Sequence, residues 1–389
     1  MKPFFEDTAT AFAIKSDTAL ERAYFLFKLI SKQPLVKLGT LVTNFAIKAG
    51  MPVEGLIRAT VFDHFCGGIS ETDCIPVMEK MHEKQVFSVL DYSVEGKADQ
   101  AYFDQVVTKI TSLISFAKTK PYIPFVVFKP TALGAIDLYE KVGTTQQLTS
   151  KEQADWELIK NRFHSICKAA YDQNIPLLID GEESWMQDAA DALVLEMMKT
   201  YNKDQVLIYN TLQAYRWDRM DYIKDLLEQS KYDGFKVGIK LVRGAYMEKE
   251  RLRAKNYGYV SPICKTKQAT DHNFNNILTY MIGELEHISI FLGTHNEESS
   301  YLLIEQMEQK GISLKDPRIW FGQLYGMSDH ISYNLSAKGY NVSKYLPFGP
   351  VKDVMPYLMR RAEENTSVAG QTNRELDLLS KERKRRKLG

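Results

Sequence analysis

The stretch VGIKLVRGAYMEKER at residues 237–251 contains the pattern that decides the fold. Its apolar run, Val237–Val242, is typical of a buried strand, the glycine at 244 permits a turn, and the polar residues after it favour a helix. Similar runs recur along the chain. They are Val86–Leu90, Phe125–Phe128, Ile175–Ile179, Val206–Tyr209, Val237–Val242, Ile288–Leu292, Ile319–Gly322 and Val342–Leu346. Eight such runs, separated by longer amphipathic stretches, predict an α/β protein of the distorted (β/α)8 TIM-barrel type. A doubly wound sheet is the alternative, but this sequence has no GxGxxG motif after the first strand.

Most of these runs end in a residue that can take part in chemistry. These residues are Asp91, Lys129, Asp180, Gln213, Arg243 and His295, with Gln323 and Tyr345 placed similarly in the last two runs. Inner positions of a barrel strand must be packed with apolar groups, whereas the carboxyl ends can expose polar ones. The repetition therefore predicts an active site at the carboxyl ends of the strands.

The remaining sequence predicts the domain boundaries. Residues 1–85 have helical spacing and no convincing strand, which indicates an N-terminal helical arm, and residues 86–373 form the barrel. The segment from Tyr139 to Arg162 is longer than a usual connection and is read as an insertion. Residues 374–389 form a basic tail, in which residues 381–387 carry six cations and one anion. We expect it to be solvated and disordered, or to contact anionic lipid as an interaction segment.

Charge and cysteine content exclude several classes of function. The 50 Lys and Arg residues nearly balance the 49 Asp and Glu residues, so no net field favours nucleic acid as a partner. The four cysteines have neither CxxC pairing nor metal-ligand spacing and indicate reduced thiols. No apolar run approaches the roughly 20 residues of a membrane span, and two acidic residues precede any apolar stretch. The expected localisation is cytoplasmic, with peripheral contact to the inner face of a membrane as an addition.

Two segments contain residues suited to holding an anion or a cofactor. In YLPFGPVKDVMPYLMRRAEEN, residues 345–365, Arg360 and Arg361 could hold a carboxylate with charge-assisted bonds. Glu364 shares a helical face with Arg360, and spacing alone favours an ordinary surface ion pair. In GTHNE, residues 293–297, His295 could contact a cofactor, act as a base or tie down a loop. No second His or Cys stands at metal spacing nearby, so no zinc site is expected.

The motifs KLVRGAY, GTHN and YLMRRAEEN, in this order, resemble the signatures of the proline dehydrogenase family. The resemblance covers roughly residues 86–373 and is weaker in the arm. It implies a barrel that holds FAD beneath a closing helix that carries the two arginines. It also implies oxidation of L-proline to Δ1-pyrroline-5-carboxylate by hydride transfer to flavin N5. The electrons would pass to a quinone acceptor, and the product would link the enzyme to pyrroline-5-carboxylate dehydrogenase.

The resemblance also assigns roles to individual residues. Arg360, Arg361 and Lys129 would bind the proline carboxylate, with Glu364 as an ionic neighbour of the lysine. Tyr345, Tyr246 and Leu324 would surround the pyrrolidine ring, and Asp180 would orient this wall through a tyrosine. The residues expected to contact the flavin are Gln213, Lys240, Val242, Gly244, Thr294, His295 and Asn296.

The sequence departs from the family pattern at two positions, and two rival activities stay open. The family's FxxGE segment reads FCGGIS here, with Glu71 displaced, and Met247 stands where some members have an aromatic residue. Hydroxyproline dehydrogenase is the nearest alternative. The bulk of Tyr345 argues against it, because this side chain would collide with a ring hydroxyl. A Schiff-base aldolase with Lys129 as nucleophile is an alternative of another class, but it would leave the paired arginines without a purpose.

Overall fold

Eight short strands, four of them fully buried, alternate with helices along the chain, and the computed structural model confirms the predicted barrel. It describes residues 4–32, 54–93, 99–367 and 369–388, with the side chains of residues 54, 56, 59, 362–367 and 369–371 outside the description. The strands close into a barrel in chain order, and the described neighbours pair in parallel. The strands are β1 Val86–Tyr92, β2 Phe125–Phe128, β3 Leu177–Ile179, β4 Ile208–Gln213, β5 Val237–Val242, β6 Ile288–Gly293, β7 Ile319–Leu324 and β8 Val342–Phe348.

The described helices comprise the arm, the connections between strands and the C-terminal helices. In the arm they are α1 Thr8–Ala11, α2 Asp17–Ile30, α3 Glu54–Ile57, α4 Asp63–Phe65 and α5 Ile75–His82. From β1 to β7 they are α6 Gln100–Lys118, α7 Ile136–Gly143, α8 Ser150–Gln173, α9 Ser184–Tyr201, α10 Arg219–Asp233, α11 Met247–Tyr257, α12 Lys267–Gly283 and α13 Glu297–Gln309. After β7 they are α14 Asp329–Ala337, α15 Met355–Ser367 and α16 Ala369–Arg385.

The chain forms two compact units. The first comprises Met1–Glu95 and Gly322–Gly389, and the second comprises Gly96–Phe321. The first unit therefore contains the arm, β1, β8 and the C-terminal helices, whereas the second contains β2 to β6 and helices α6 to α13. Within the second unit, the predicted insertion is the pair α7 and α8, which gives the β2–β3 connection one helix more than a standard barrel unit.

Aromatic side chains fill the inner face of the second unit's strands. The ring of Phe125 on β2 lies 5.6 Å from that of Tyr209 on β4 and 5.3 Å from that of Phe291 on β6, centroid to centroid. Trp320 lies 5.2 Å from Phe125 in the same edge-on geometry. Edge-to-face contacts at these distances stabilise a packed core. The rings therefore form a solid floor beneath the carboxyl ends of these strands.

In the first unit, β1 and β8 pair in register from Val86 with Val342 to Tyr92 with Phe348. An apolar cluster joins the arm to the helix that carries the two arginines. Its members include Leu26 and Ile30 of α2, Phe65, and Tyr357 and Leu358 of α15. The loss of water contact by these side chains fixes α15 against the arm.

The C-terminal segment differs from the expected disordered tail. Residues 374–385 belong to α16, which buries Leu378 and Leu379 against α2 in a second apolar cluster. The segment's cations pair with acids of the same unit: Arg383 with Glu21, and Arg386 with Asp17 and Glu382. The sequence shows the cations but not these distant partners, so the expectation of a solvated tail is corrected.

Candidate active site at the carboxyl ends of the strands

Strand alternation brings polar residues together above the aromatic floor of the second unit. Lys129 follows Phe125 by four positions, and Gln213 follows Tyr209 by four, so each projects from the same face as the ring below it. Asp180 follows the last residue of β3, and Lys240 lies in β5 beside Thr211 of β4. The geometry groups four predicted site residues at one end of the second unit's strands.

Lys240 and Asp180 form an ion pair between the ends of β5 and β3. Lys240 is buried and Asp180 is half-buried, so each charge needs the other. The resemblance implies that Asp180 bonds a tyrosine and that Lys240 contacts the flavin. The described contact instead joins Asp180 and Lys240 to each other. The pair places a neutralised cation at the centre of the second unit's polar cluster.

Gln213 is held in place by a residue that the sequence analysis did not name. Its Nε2 donates to the backbone oxygen of Glu182 at 2.8 Å, and the side chain is buried. Glu182 lies two residues beyond Asp180, and its own carboxylate accepts two bonds from Thr131. The signal available in the sequence was its place in the strand-end segment LLIDGEES.

Arg243 organises the ends of β5 and β6. Its guanidinium donates to Asp271 at 2.7 Å, to Thr294 at 2.9 Å and to Ser299 at 3.0 Å, and it lies 4.3 Å from the Phe274 ring centroid. The sequence analysis identified Arg243 only as one of several strand-end residues. The contacts show that it fixes Thr294, which was predicted to contact the cofactor.

The GTHN segment has a structural role that can be read directly. Asn296 is the N-cap of α13, and its side chain accepts a bond from the Ser299 N–H at 2.8 Å. The Asn296 N–H donates to Thr294 at 3.2 Å. His295 lies half-buried between them. The cap therefore sets the course of the backbone on either side of His295.

Gly244 begins the turn after β5 with φ of +126°, a conformation that side chains rarely adopt. A Cβ atom there would lie 2.6 Å from the ring of Tyr215. Only glycine allows the turn to lie flat on this ring. The turn leads into Tyr246, which is half-buried and immediately precedes α11. Val242, at the end of β5, is also half-buried.

The other predicted site residues lie in the first unit. The Tyr325 N–H donates to the backbone oxygen of Tyr345 at 2.8 Å, which ties the end of β7 to β8. Leu324 packs against the apolar cluster of the arm and α15. The predicted wall residues Leu324 and Tyr345 thus belong to neighbouring strand ends.

The two arginines lie on the second half of the described part of α15. Arg360 is half-buried, whereas Arg361 is buried, with its guanidinium 5.2 Å from the centroid of the Tyr357 ring. Because Tyr357 belongs to the apolar cluster, this contact fixes the position of the Arg361 guanidinium on the surface of the helix. Glu364 lies in the same helix, and its side chain falls outside the described residues.

The described residues contain neither a metal-binding group nor a membrane-spanning helix. Among the described residues, no group of three or more His, Cys, Asp and Glu side chains has an arrangement that could hold a metal ion. In the same part of the chain, no helix combines the length and the apolarity that crossing a membrane requires.

A barrel whose strand ends carry a buried ion pair, an oriented amide and a row of further polar groups defines a TIM-barrel enzyme. The family model for proline dehydrogenase matches residues 74–374. Proline dehydrogenase 2, mitochondrial, of Arabidopsis thaliana is 30% identical over 427 residues, covering 98% of this chain and 90% of that protein. The chain belongs to the proline dehydrogenase family and is an oxidoreductase.

A further relative is similar to this chain in sequence, and a solved structure is similar to it in fold. The carbapenem antibiotics biosynthesis protein CarD of Pectobacterium carotovorum is 38% identical over 336 residues, covering 86% of this chain and 87% of that protein. Proline utilization A (PutA) from Bdellovibrio bacteriovorus superposes with a TM-score of 0.73 at 19% identity over 94% of this chain. The chain spans only 39% of that PutA, so the likeness shows the barrel fold alone.

Proposed function

We propose that this chain oxidises L-proline to Δ1-pyrroline-5-carboxylate with FAD as its cofactor. Membership of the proline dehydrogenase family supports the substrate. The observation that carries the proposal is the polar cluster of the second unit, in which the Lys240–Asp180 pair and Gln213 lie above an aromatic floor. FAD, when bound, would accept a hydride from the ring carbon next to the proline nitrogen.

The residues of the cluster fit a flavin by their chemistry. An amide both donates and accepts, so Gln213 matches a flavin pyrimidine edge, which alternates carbonyl acceptors with an N–H donor. Lys240 would put positive charge beside the ring, and Asp180 limits the cost of burying that charge. The residues that would hold the cofactor are Gln213, Lys240, Val242, Gly244, Thr294, His295 and Asn296.

Binding of the substrate is assigned to charged groups and to an apolar wall. Arg360, Arg361 and Lys129 would hold the carboxylate, because charge-assisted bonds from several donors fix a planar anion. Glu364 would orient the lysine. The wall around the pyrrolidine ring would consist of Tyr246, Leu324 and Tyr345, with Asp180 orienting it. Such a clamp and wall together address the main requirement of the reaction, which is to position the substrate.

The proline nitrogen must be neutral before hydride can leave, and no dedicated base is assigned. Lys129 and the two arginines would favour the anionic form of proline electrostatically. The pH–rate profile of Lys129→Met tests this step. A profile that shifts to higher pH supports it, and an unchanged profile would count against it.

Reoxidation by a quinone-type acceptor and a link to pyrroline-5-carboxylate dehydrogenase are part of the proposal and rest on the family resemblance. The same holds for a cytoplasmic location with peripheral contact to a membrane. Arg383 and Arg386 add no support to membrane contact, because they pair with acids of their own unit.

Anaerobic titration of the purified protein with L-proline, followed by flavin absorbance, tests the whole proposal. We expect a yellow protein that proline bleaches and that trans-4-hydroxyproline bleaches poorly. Tyr345→Ala should reduce the difference in flavin bleaching between the two substrates, because the bulky tyrosine side chain is proposed to exclude the ring hydroxyl. A protein that neither contains nor takes up FAD would overturn the proposal. Bleaching by hydroxyproline alone would mean that hydroxyproline, and not proline, is the substrate.

The aldolase alternative is tested by trapping. A Schiff base on Lys129 would be reduced by borohydride in the presence of a carbonyl substrate such as pyruvate, which intact-mass spectrometry detects as a permanent adduct. The proposed function predicts no adduct that depends on Lys129. An adduct that Lys129→Met abolishes would favour the aldolase.

A further inference from the structure

Glu182 is a buried acid with all of its hydrogen-bonding groups in use. It is 5% exposed and follows β3 by three residues. Its carboxylate accepts the Thr131 N–H at 2.9 Å and the Thr131 O–H at 2.6 Å. Its backbone N–H donates to Gln187 at 3.0 Å, and its backbone oxygen accepts from Gln213 at 2.8 Å. One residue thus connects the ends of β2, β3 and β4.

The two bonds to Thr131 act on the segment that carries Lys129. Thr131 lies in the single 3-10 turn Pro130–Ala132, which directly follows Lys129. The Ala132 N–H donates to the Lys129 oxygen at 3.0 Å, and the Tyr139 hydroxyl donates to the Pro130 oxygen at 2.8 Å. Because the turn is this short, fixing Thr131 also fixes the backbone from which Lys129 projects.

We propose that Glu182 is a positioning residue for the reaction. Its carboxylate would set the place of Lys129 through Thr131, while its backbone oxygen sets the orientation of Gln213. This inference rests on the proposed function, because Lys129 is there assigned to the substrate carboxylate and Gln213 to the flavin. Glu182 itself would touch neither.

The charge of Glu182 should change within the working range of pH. Burial raises the pKa of Glu182 to about 7; the Thr131 bonds and Lys129 oppose the rise, and Glu183 adds to it. The other charged groups around it are already paired: Glu183 with Lys249, Asp180 with Lys240, and Asp191 of α9 with Arg219. An ionised carboxylate accepts both Thr131 bonds, whereas the protonated acid must use one oxygen as a donor. Positioning of Lys129 should therefore improve as pH rises through neutrality.

The test compares Glu182→Gln with wild type in steady-state kinetics from pH 6 to pH 8. The glutamine can accept only one of the two bonds, so we expect KM for proline to rise about tenfold, with kcat changed much less. The wild-type KM should show an inflection near neutral pH that Glu182→Gln lacks. Thr131→Val should raise KM by a similar factor, whereas Thr131→Ser, which keeps the hydroxyl, should leave KM near the wild-type value. The double variant Glu182→Gln with Thr131→Val should have a KM no higher than that of either single variant.

Glu183→Gln is the matched control. Glu183 is 6% exposed, adjacent in sequence, and paired with Lys249 rather than Thr131. Its loss should leave KM unchanged and keep an inflection, which should move to lower pH because Glu183 no longer adds to the raised pKa of Glu182. A KM and an inflection in Glu182→Gln that match wild type would overturn the proposal.

Hydrogen exchange separates this proposal from the proposed function. In Glu182→Gln the backbone amide of Thr131 should exchange faster, whereas Glu183→Gln should leave it unchanged, and neither result requires turnover. Faster exchange in a protein that does not oxidise proline would mean that the proposed function fails while the contact stands. Unchanged exchange in an active enzyme would mean that Glu182 does not position the turn.

Discussion

Lys344→Met tests the buried ion cluster of the first unit. Lys344 is 0% exposed, and its Nζ lies 2.8 Å from an Asp329 oxygen and 2.8 Å from the Met327 backbone oxygen that accepts its bond. Asp329 has a second partner in Lys15 at 3.0 Å. The cluster therefore ties the arm and the start of α14 to β8, next to Tyr345. Methionine preserves much of the apolar volume of lysine, so the change removes mainly the charge.

The magnitude follows from what the substitution leaves behind. Removing one partner of a fully buried charge pair costs about 3–5 kcal/mol, because the remaining charge is still buried. Lys15 continues to pair with Asp329, which lowers this cost. The Met327 backbone oxygen loses its hydrogen-bond donor, which raises the cost of the substitution by about 1–3 kcal/mol. We expect a net loss of about 3–4 kcal/mol in the free energy of unfolding of the first unit.

Urea unfolding followed by circular dichroism measures this loss. Lys15→Met is the matched control: the Lys15 side chain is 17% exposed, Asp329 would keep Lys344, and the expected loss is about 1 kcal/mol. Lys344→Met combined with Asp329→Leu replaces the pair with apolar groups and should recover part of the stability. Equal unfolding free energies for Lys344→Met and Lys15→Met would refute the view that the cluster is buried and coupled.

Three further predictions concern other parts of the fold. Burial alone would raise the pKa of Asp329, but Lys15 and Lys344 outweigh it and hold the pKa well below its usual range. The stability from Asp329 should therefore be present above about pH 4 and lost below it, and Asp329→Asn should flatten that dependence in urea titrations. Gly244→Ala should reduce the ratio of bound flavin to protein in absorbance spectra, whereas Gly258→Ala, at positive φ with open space around it, should cost only about 1 kcal/mol. Glu382→Gln should destabilise the protein by about 2 kcal/mol in urea unfolding, because the buried Glu382 carboxylate accepts bonds from Arg385 and from Arg386 just beyond the helix; a loss below 0.5 kcal/mol, on the order of a surface pair, would contradict this.

The barrel could be predicted because its signal is local and repeated. Each apolar run needs only its own residues to indicate a buried strand, and eight of them leave few topologies. The run at Val206–Tyr209 shows the limit of this signal. The strand is Ile208–Gln213, and its second half alternates inward polar residues with outward apolar ones. An apolar run therefore identifies the strand but misses the part that reaches the site.

The polar contacts at the site could be predicted only in part. Lys129, Asp180 and Gln213 were predicted because each ends or follows a strand, whereas Lys240 was assigned through the family resemblance. Glu182 was missed because its importance depends on Thr131, 51 positions earlier in the chain. The pairing of Arg383 and Arg386 with acids more than 350 positions away escaped prediction for the same reason. Contacts of this separation are set by the fold and leave no local pattern.

The two buried acids Glu182 and Asp329 differ in a way that bears on function. Asp329 has two cations as partners, and these pairs outweigh the cost of burial, so that its charge strengthens the fold at neutral pH. Glu182 is bonded to a neutral threonine, and its pKa is raised to about 7 mainly by burial. A carboxyl whose folded pKa exceeds its unfolded value of 4.5 by this amount costs about 3 kcal/mol once ionised. The stability it allows is therefore present below about pH 4 and is lost as pH rises through 7. Stability does not account for an acid at this position, whereas the proposed placement of Lys129 through Thr131 does, as is common for strongly perturbed groups at functional sites.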